Sequence, residues 1–330
     1  MNNTIRMLIT VDTEEEGIWD GEYSRSGSPV RNIEGIHRFQ ELCDEFQFKP
    51  TYLIDYSVCS TPESADIFGP IQSENRGEIG GHLHPWSTPP FEEEINERNT
   101  FMCNLPEDLV ARKIDTLIEA HQNRFGCRPY AFRSGRWGFN NNVARILCEK
   151  GFLVDSSIRP FTDYTSDGIP LYVSELPEWY WLDPEDIFSS SGPDRRILEI
   201  PASTGFNRTP FARAFKIREQ LKHPVLQKLR LVGILYHLNL LKNLSLSPEL
   251  DTLQNMMSCA RMFVSCGRNV FNVFLHSSSL TAGFSPYVTS DAQLETYLDH
   301  IRQFFEFVRR HWSVEGLTLT EFRAVAERST

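Results

Sequence analysis

Apolar and polar positions follow one another along most of this chain in an alternation of strand-like and helix-like periods. Ile5 to Val11 is a short, β-branched apolar run that stops abruptly in acids, as a buried parallel strand does at its carboxyl end. Residues 33–47 place apolar side chains at helical spacing, and 50–55 (PTYLID) read as a second strand. The rhythm predicts a helix over 62–75, a strand ending in EIGGHLH, a helix over 106–125, a strand at PYAFR, a helix over 140–150 and a strand at FLVDSS. Towards the carboxyl end it predicts a helix over 248–266, a strand at NVFNVFLHS, a helix over 291–311 and a short last strand around Leu317 to Leu319.

Strands alternating with helices of this length pair in parallel through right-handed crossovers, and seven or eight of them suggest an α/β barrel. The stretch 160–211 breaks the rhythm. It is rich in Pro, Ser, Asp and aromatic residues, with strand-like pieces only at Pro170 to Val173 and Ile197 to Ile200, and reads as an insertion over the barrel rim. No repeat, low-complexity linker or composition shift marks a boundary, so residues 1–330 read as a single domain.

Composition narrows the function classes. A formal net charge of -11 argues against phosphate-backbone binding, which rests on clustered Lys and Arg, and no nucleic-acid partner is expected. A local exception is the basic, amphipathic segment 225–242 (VLQKLRLVGILYHLNLLK), which could rest on an anionic membrane if the substrate were lipid-linked, or pack as an ordinary helix on the barrel or on a second subunit. The amino terminus lacks the apolar core and cleavage site of a secretory signal, and seven scattered cysteines without a CxxC pair suggest reduced thiols, so a cytoplasmic protein is expected.

The chemistry lies where the predicted strands end. Asp12 and Glu14 close the first, His82 and His84 the third, Arg133 the fourth, Asp155 the fifth and His276 the strand at 270–275. In a parallel barrel these ends share one rim, where active sites are built. Side chains two apart on a strand share a face, so His82 and His84 could grip one metal with an acid from the pair Asp12 and Glu14. Two histidines, a carboxylate and an open position make a catalytic zinc arrangement that suits iron, cobalt or nickel equally. Taken singly, each residue has an ordinary reading: HxH is a weak motif, Asp12 could cap a helix, and His276 could be a bonded core histidine.

The order of these motifs resembles the polysaccharide deacetylase (NodB-homology, carbohydrate esterase) family: TVDTE at 10–14, EIGGHLHPW at 78–86, FRSGRWG at 132–138, GFLVDSSI at 151–158 and FLHSSSL at 274–280. The resemblance implies a distorted (β/α) barrel with about seven parallel strands. It implies Asp12 as catalytic base, Arg133 as the group that holds it, His276 as the acid on the leaving amine, His82 as the leading metal ligand and Asp155 as the acid that tunes His276. Two positions depart from the family. Thr13 stands where a metal-binding acid is usual, so that Glu14 must serve, and Trp86 stands where the second histidine is usual, so that His84 must take over.

The implied activity is metal-dependent removal of an N-acyl group, expected to be acetyl, from an amino sugar in surface polysaccharide or lipopolysaccharide biosynthesis. An acylated amino sugar or glycan is then the partner, and a divalent metal, expected to be zinc, the cofactor. Trp86, Arg136 and Trp137 follow the strand ends and are candidates for contacts with the sugar, although aromatic residues in barrel loops more often pack. An amidase or deformylase of a nonsugar metabolite, or a catalytically silent glycan-binding relative, would share the same motifs. No GxSxG elbow, GxGxxG or P-loop is present, which sets aside serine hydrolases and nucleotide-dependent transfer.

Overall fold

The computed structural model describes residues 4–21, 23–25, 28–172, 176–190, 196–223 and 230–328. Its strands are β1 (Ile5–Thr13), β2 (Pro50–Ile54), β3 (Glu78–Leu83), β4 (Ala131–Ser134), β5 (Val154–Asp155), β6 (Tyr180–Asp183), β7 (Asp186–Ser190), β8 (Leu198–Glu199), β9 (Thr204–Phe206), β10 (Asn243–Ser245), β11 (Val270–His276) and β12 (Val314–Gly316). Its helices are α1 (Ile36–Glu45), α2 (Tyr56–Ser60), α3 (Ser64–Ser73), α4 (Glu107–Phe125), α5 (Asn141–Glu149), α6 (Phe211–Leu221), α7 (Leu231–His237), α8 (Leu253–Ser265), α9 (Asp291–His311) and α10 (Leu319–Arg328).

Seven strands pair in parallel in the order β11-β1-β2-β3-β4-β5-β8, giving the α/β fold that the alternation implies. The sheet curls into an incomplete barrel. Between its two ends, Ser203 N–H donates to Asn272 O (3.3 Å), and Leu246 carries the link from Ser203 O (2.9 Å) to Phe274 N–H (3.2 Å). The hairpin β6-β7 lies antiparallel on the outer side of β8. The short run 198–199, placed by its sequence inside a rim insertion, is thus a strand of the main sheet. The described part of Pro170 to Val173 forms no strand, and Val173 itself lies outside the described residues.

β1 and β2 are almost wholly buried, because helices cover the apolar face that carries Ile9, Val11, Tyr52 and Ile54, while the other face, with Thr10 and Asp12, turns to the barrel interior. The largest core cluster joins Ile9, Val11, Tyr52 and Ile54 of these strands to Phe39 of α1, Phe263 of α8 and Phe304 and Phe305 of α9. Helix starts are fixed by side-chain caps: Asp55 accepts from Val58 N–H (2.8 Å), Asn140 from Val143 N–H (3.0 Å) and Thr252 from Asn255 N–H (3.4 Å). Each such cap contributes about 1 kcal/mol.

Two further sequence readings shift. The last strand is Val314–Gly316, and Leu319 begins a helix. Of the amphipathic segment 225–242, residues 225–229 lie outside the described residues, and the remainder holds the short, largely exposed α7. All seven cysteines are free thiols. Among the described residues, no helix is long and apolar enough to cross a membrane.

Candidate active site

Because parallel strands end on one rim, the side chains that close β1, β3, β4 and β11 meet there, around a cavity of about 440 Å³ lined by Asp12, Glu14, His82, His84, Glu249 and His276. That volume suits a small ligand or part of a larger one. Glu14, His82 and His84 converge most closely. Glu14 Oε2 lies 3.4 Å from His82 Nε2 and 3.3 Å from His84 Nε2, and the two ring nitrogens are 3.2 Å apart. All three side chains are buried.

Three donors so spaced have the edge length of a tetrahedron, about 3.3 Å, that forms around an ion with bonds of about 2.0–2.1 Å. The protonation pattern fits as well. His82 Nδ1 lies 2.9 Å from Arg133 O, so this nitrogen donates its proton to the carbonyl and Nε2 keeps its lone pair. His84 Nδ1 faces both carboxylate oxygens of Glu15 at 3.3 Å, the carboxylate–histidine pairing that orients a metal ligand. Glu14 and Glu15 bring two buried carboxylates against the histidines of this cluster. Burial would raise the Glu14 carboxyl, yet His276 and the two histidines hold it well below the usual carboxylate range. Burial would lower His84, yet Glu15 and Glu14 raise it well above an ordinary histidine. Glu14, His82 and His84 can hold a metal ion, and a divalent cation there would balance the two carboxylates.

The support of this cluster extends outwards. Trp86 Nε1–H donates to Glu15 Oε1 (2.7 Å), and its ring stacks on His84 with centroids 4.2 Å apart. Asp55, its carboxyl pushed up by burial and by Glu15, bonds Glu15; burial would raise Glu15 in turn, but His84 and the bond from Asp55 lower it to about 2. The run of acids after β1 therefore divides its tasks: Glu14 faces the histidines, Glu15 holds His84, and Glu16 pairs with Arg31 (2.8 Å). Thr13 turns away, donating to Val11 O (3.0 Å).

Beside the cluster, Arg133 fixes Asp12. Its Nη1 donates to Asp12 Oδ1 (2.7 Å), while Nη2 reaches Thr10 Oγ1 (2.8 Å) and Ser156 Oγ (2.9 Å) and Nε reaches Ser156 O (2.8 Å). The other Asp12 oxygen is 3.8 Å from His276 Nε2. Glu249 grips His276, accepting from its backbone N–H (2.9 Å) and from Nδ1 (2.7 Å). Burial would lower the His276 pKa, but Glu249, Glu14 and Asp12 together raise it to about 10, so Nε2 carries a proton into the cavity.

The acid on His276 is therefore Glu249 rather than Asp155. Asp155 does not line the cavity: it accepts from Ser157 Oγ (2.7 Å) and Ser157 N–H (3.0 Å) and shares a proton with Glu199, whose carboxyl burial and Asp155 hold well above its ordinary range. Trp137 lines the cavity, with the Arg133 guanidinium 5.0 Å over its ring. Arg136 also lines it, but its guanidinium is taken up by Tyr23 OH (2.9 Å), Glu97 (2.6 Å) and Thr100. Trp86 touches the cavity while serving Glu15 and His84. Sequence reasoning missed Glu15, Asp55, Glu249, Trp19, which packs edge-on against His276 with centroids 5.0 Å apart, and the cavity-lining Arg159. Asp55, closing β2, obeys the same strand-end rule as the others; Glu249 sits in a loop that no pattern marks.

Comparison with solved structures decides the fold family. A putative polysaccharide deacetylase from Mycobacterium smegmatis matches over 99% of this chain and 91% of its own, with a TM-score of 0.51 and 16% identity. The fold is that of the polysaccharide deacetylases. A putative glycoside hydrolase/deacetylase from Parabacteroides distasonis matches over 100% of this chain and 72% of its own, with a TM-score of 0.61 and 12% identity. The 4-alpha-glucanotransferase from Thermococcus litoralis matches over 98% of this chain and 40% of its own, with a TM-score of 0.50 and 13% identity, so the deacetylase-like barrel hosts other carbohydrate chemistry too. No family model and no curated protein matches the sequence.

Proposed function

We propose that this chain is a metal-dependent hydrolase of the polysaccharide deacetylase type that removes an N-acyl group, expected to be acetyl, from an amino sugar in the assembly of a surface polysaccharide or lipopolysaccharide. One observation carries the reading: three buried donors spaced for one ion stand beside an Arg-fixed carboxylate, with a charged histidine across the same cavity. Two of the matched structures are a putative polysaccharide deacetylase and a putative glycoside hydrolase/deacetylase, in keeping with it.

Glu14, His82 and His84 would hold the ion, expected to be zinc. A divalent ion there supplies Lewis-acid activation of an amide carbonyl and makes water more acidic. Asp12, denied rotation by Arg133, accepts the proton of the attacking water through the oxygen that Arg133 leaves free. His276 protonates the departing nitrogen, since an amine is a very poor leaving group until it gains a proton. Its acidic partner, Glu249, compensates the charge of the imidazolium before the transfer and fixes the ring so that Nε2 faces the cavity. Trp137, Trp19 and Tyr287 offer apolar ring surface on the cavity wall for a sugar.

Metal content by mass spectrometry, for wild type and for His82→Ala and His84→Ala, tests the reading. Near-stoichiometric metal that both variants lose, together with acetate release from N-acetylated amino sugars by the wild type alone, is the expected result. A protein that stays metal-free after incubation with zinc or iron would overturn it.

A further inference from the structure

The strongest feature that this chemistry leaves unused is the face built by α6 and α7. Residues 207–223 and 230–242 carry seven Lys and Arg against Glu219 alone, a net +6 in a chain of net -11, so that the remainder carries -17. Arg208, Arg213, Lys216, Lys222 and Arg230 are exposed. The same face is apolar. Of the ten large apolar side chains left exposed among the described residues, Ile217, Ile234, Tyr236, Leu238 and Leu240 lie here, Leu238 at 63% exposure. Between the two helices runs a groove of about 310 Å³ in which Ile217, Leu235 and Leu240 meet Arg208 and Arg213.

We propose that this face docks on an anionic lipid bilayer. Exposed Leu and Ile interleaved with Lys and Arg are the makings of an interfacial element: the apolar side chains enter the boundary between headgroups and acyl chains, and the cations meet the lipid phosphates. Charge complementarity favours this occupant over a second copy of the chain. A twofold contact through the same face would set +6 against +6, whereas lipid phosphates meet it with the opposite sign. The net -17 of the remainder favours approach to an anionic surface through this face.

The face adjoins the catalytic rim. Phe161, in the loop that carries Arg159 and Tyr164 to the cavity, packs on Phe211 and Phe215 of α6 with centroids 5.9 and 6.0 Å apart. The substrate carried on such a surface would be a lipid-linked sugar, an extension that rests on the deacetylase reading, whereas the docking does not.

Vesicle co-sedimentation tests the docking without any catalytic readout. The wild type is expected to partition onto equimolar phosphatidylcholine and phosphatidylglycerol vesicles at low salt, to be released at high salt, and to ignore pure phosphatidylcholine. Arg213→Gln/Lys216→Gln is expected to weaken partition about thirtyfold, and Leu238→Ser/Leu240→Ser about tenfold, with circular dichroism and melting temperature unchanged, as these side chains are exposed. Equal binding to both vesicle types, no binding at all, or unchanged binding by the charge variant would overturn the proposal. Self-association in free solution that Leu238→Ser/Leu240→Ser abolishes would overturn it too and assign the face to a second copy.

Discussion

At the scale of single residues, Trp86 braces the cluster from behind: it stacks its ring on His84 and gives its N–H to Glu15. Trp86→Phe keeps the stack and removes only that bond, so metal affinity, read by chelator competition, is expected to fall by about ten- to a hundredfold with the fold intact; unchanged affinity would mean that Glu15 needs no such anchor. Glu249→Gln poses the complementary question on the other side of the cavity. It keeps the shape but removes the charge that does most to hold His276 protonated, so kcat is expected to fall about a hundredfold while bound metal is unchanged. The convergence of Glu14, His82 and His84 was legible in the sequence because all three stand at strand ends, the two histidines two residues apart. Glu249 was not: it lies 27 residues before His276, in a loop whose conformation alone brings the two together.

Among the elements, long apolar runs were legible and short ones were not. β1, β3 and β11 and the helices α4 and α9 have enough residues for their period to be read. β8 has two: the run Ile197 to Ile200 reads as strand-like, but its place in the main sheet comes only from its pairing with β5 and β6. The start of α10 did leave a signal. Thr318 Oγ1 accepts from Glu321 N–H (3.3 Å) while Glu321 Oε2 accepts from Thr318 N–H (3.0 Å), a capping box written as TLTE that the alternation of Leu317 and Leu319 obscured. The turn after β4 matters most for chemistry. A Cβ on Gly135 would stand 2.2 Å from His84 Cδ2 and 2.6 Å from Leu83 O, so nothing larger fits behind the ring. Gly135→Ala is therefore expected to displace His84, lowering metal stoichiometry and costing about 1–3 kcal/mol in urea unfolding. Full metal content in that variant would show that β3 can shift without moving its ligand.

For the molecule as a whole, acid stability follows from a group that does not line the cavity. His121, buried on α4, lies with Nε2 3.1 Å from Ile54 O at the end of β2, so its ring N–H joins helix to sheet. Burial lowers its pKa to about 4, against 6.5 for an unperturbed histidine, despite the bond to Ile54. The sign follows directly: the unfolded chain takes up a proton as pH falls below 6.5, the folded chain only near 4, so over that window the unfolded state binds more protons and stability drops with pH. Above the window the contribution is fully present. By pH 4.5 the loss from this one residue amounts to about 2–3 kcal/mol, a large part of the 5–15 kcal/mol that holds a typical domain together. Other buried groups titrate in the same range, and the comparison that isolates His121 is therefore between wild type and His121→Gln, which keeps a donor for Ile54 O and cannot ionise. Urea midpoints taken at pH 7 and pH 4.5 are expected to separate less in the variant than in the wild type by about 2–3 kcal/mol. Equal separations would mean that acid opens the joint between α4 and β2 well before the protein unfolds, letting His121 meet water in the native state.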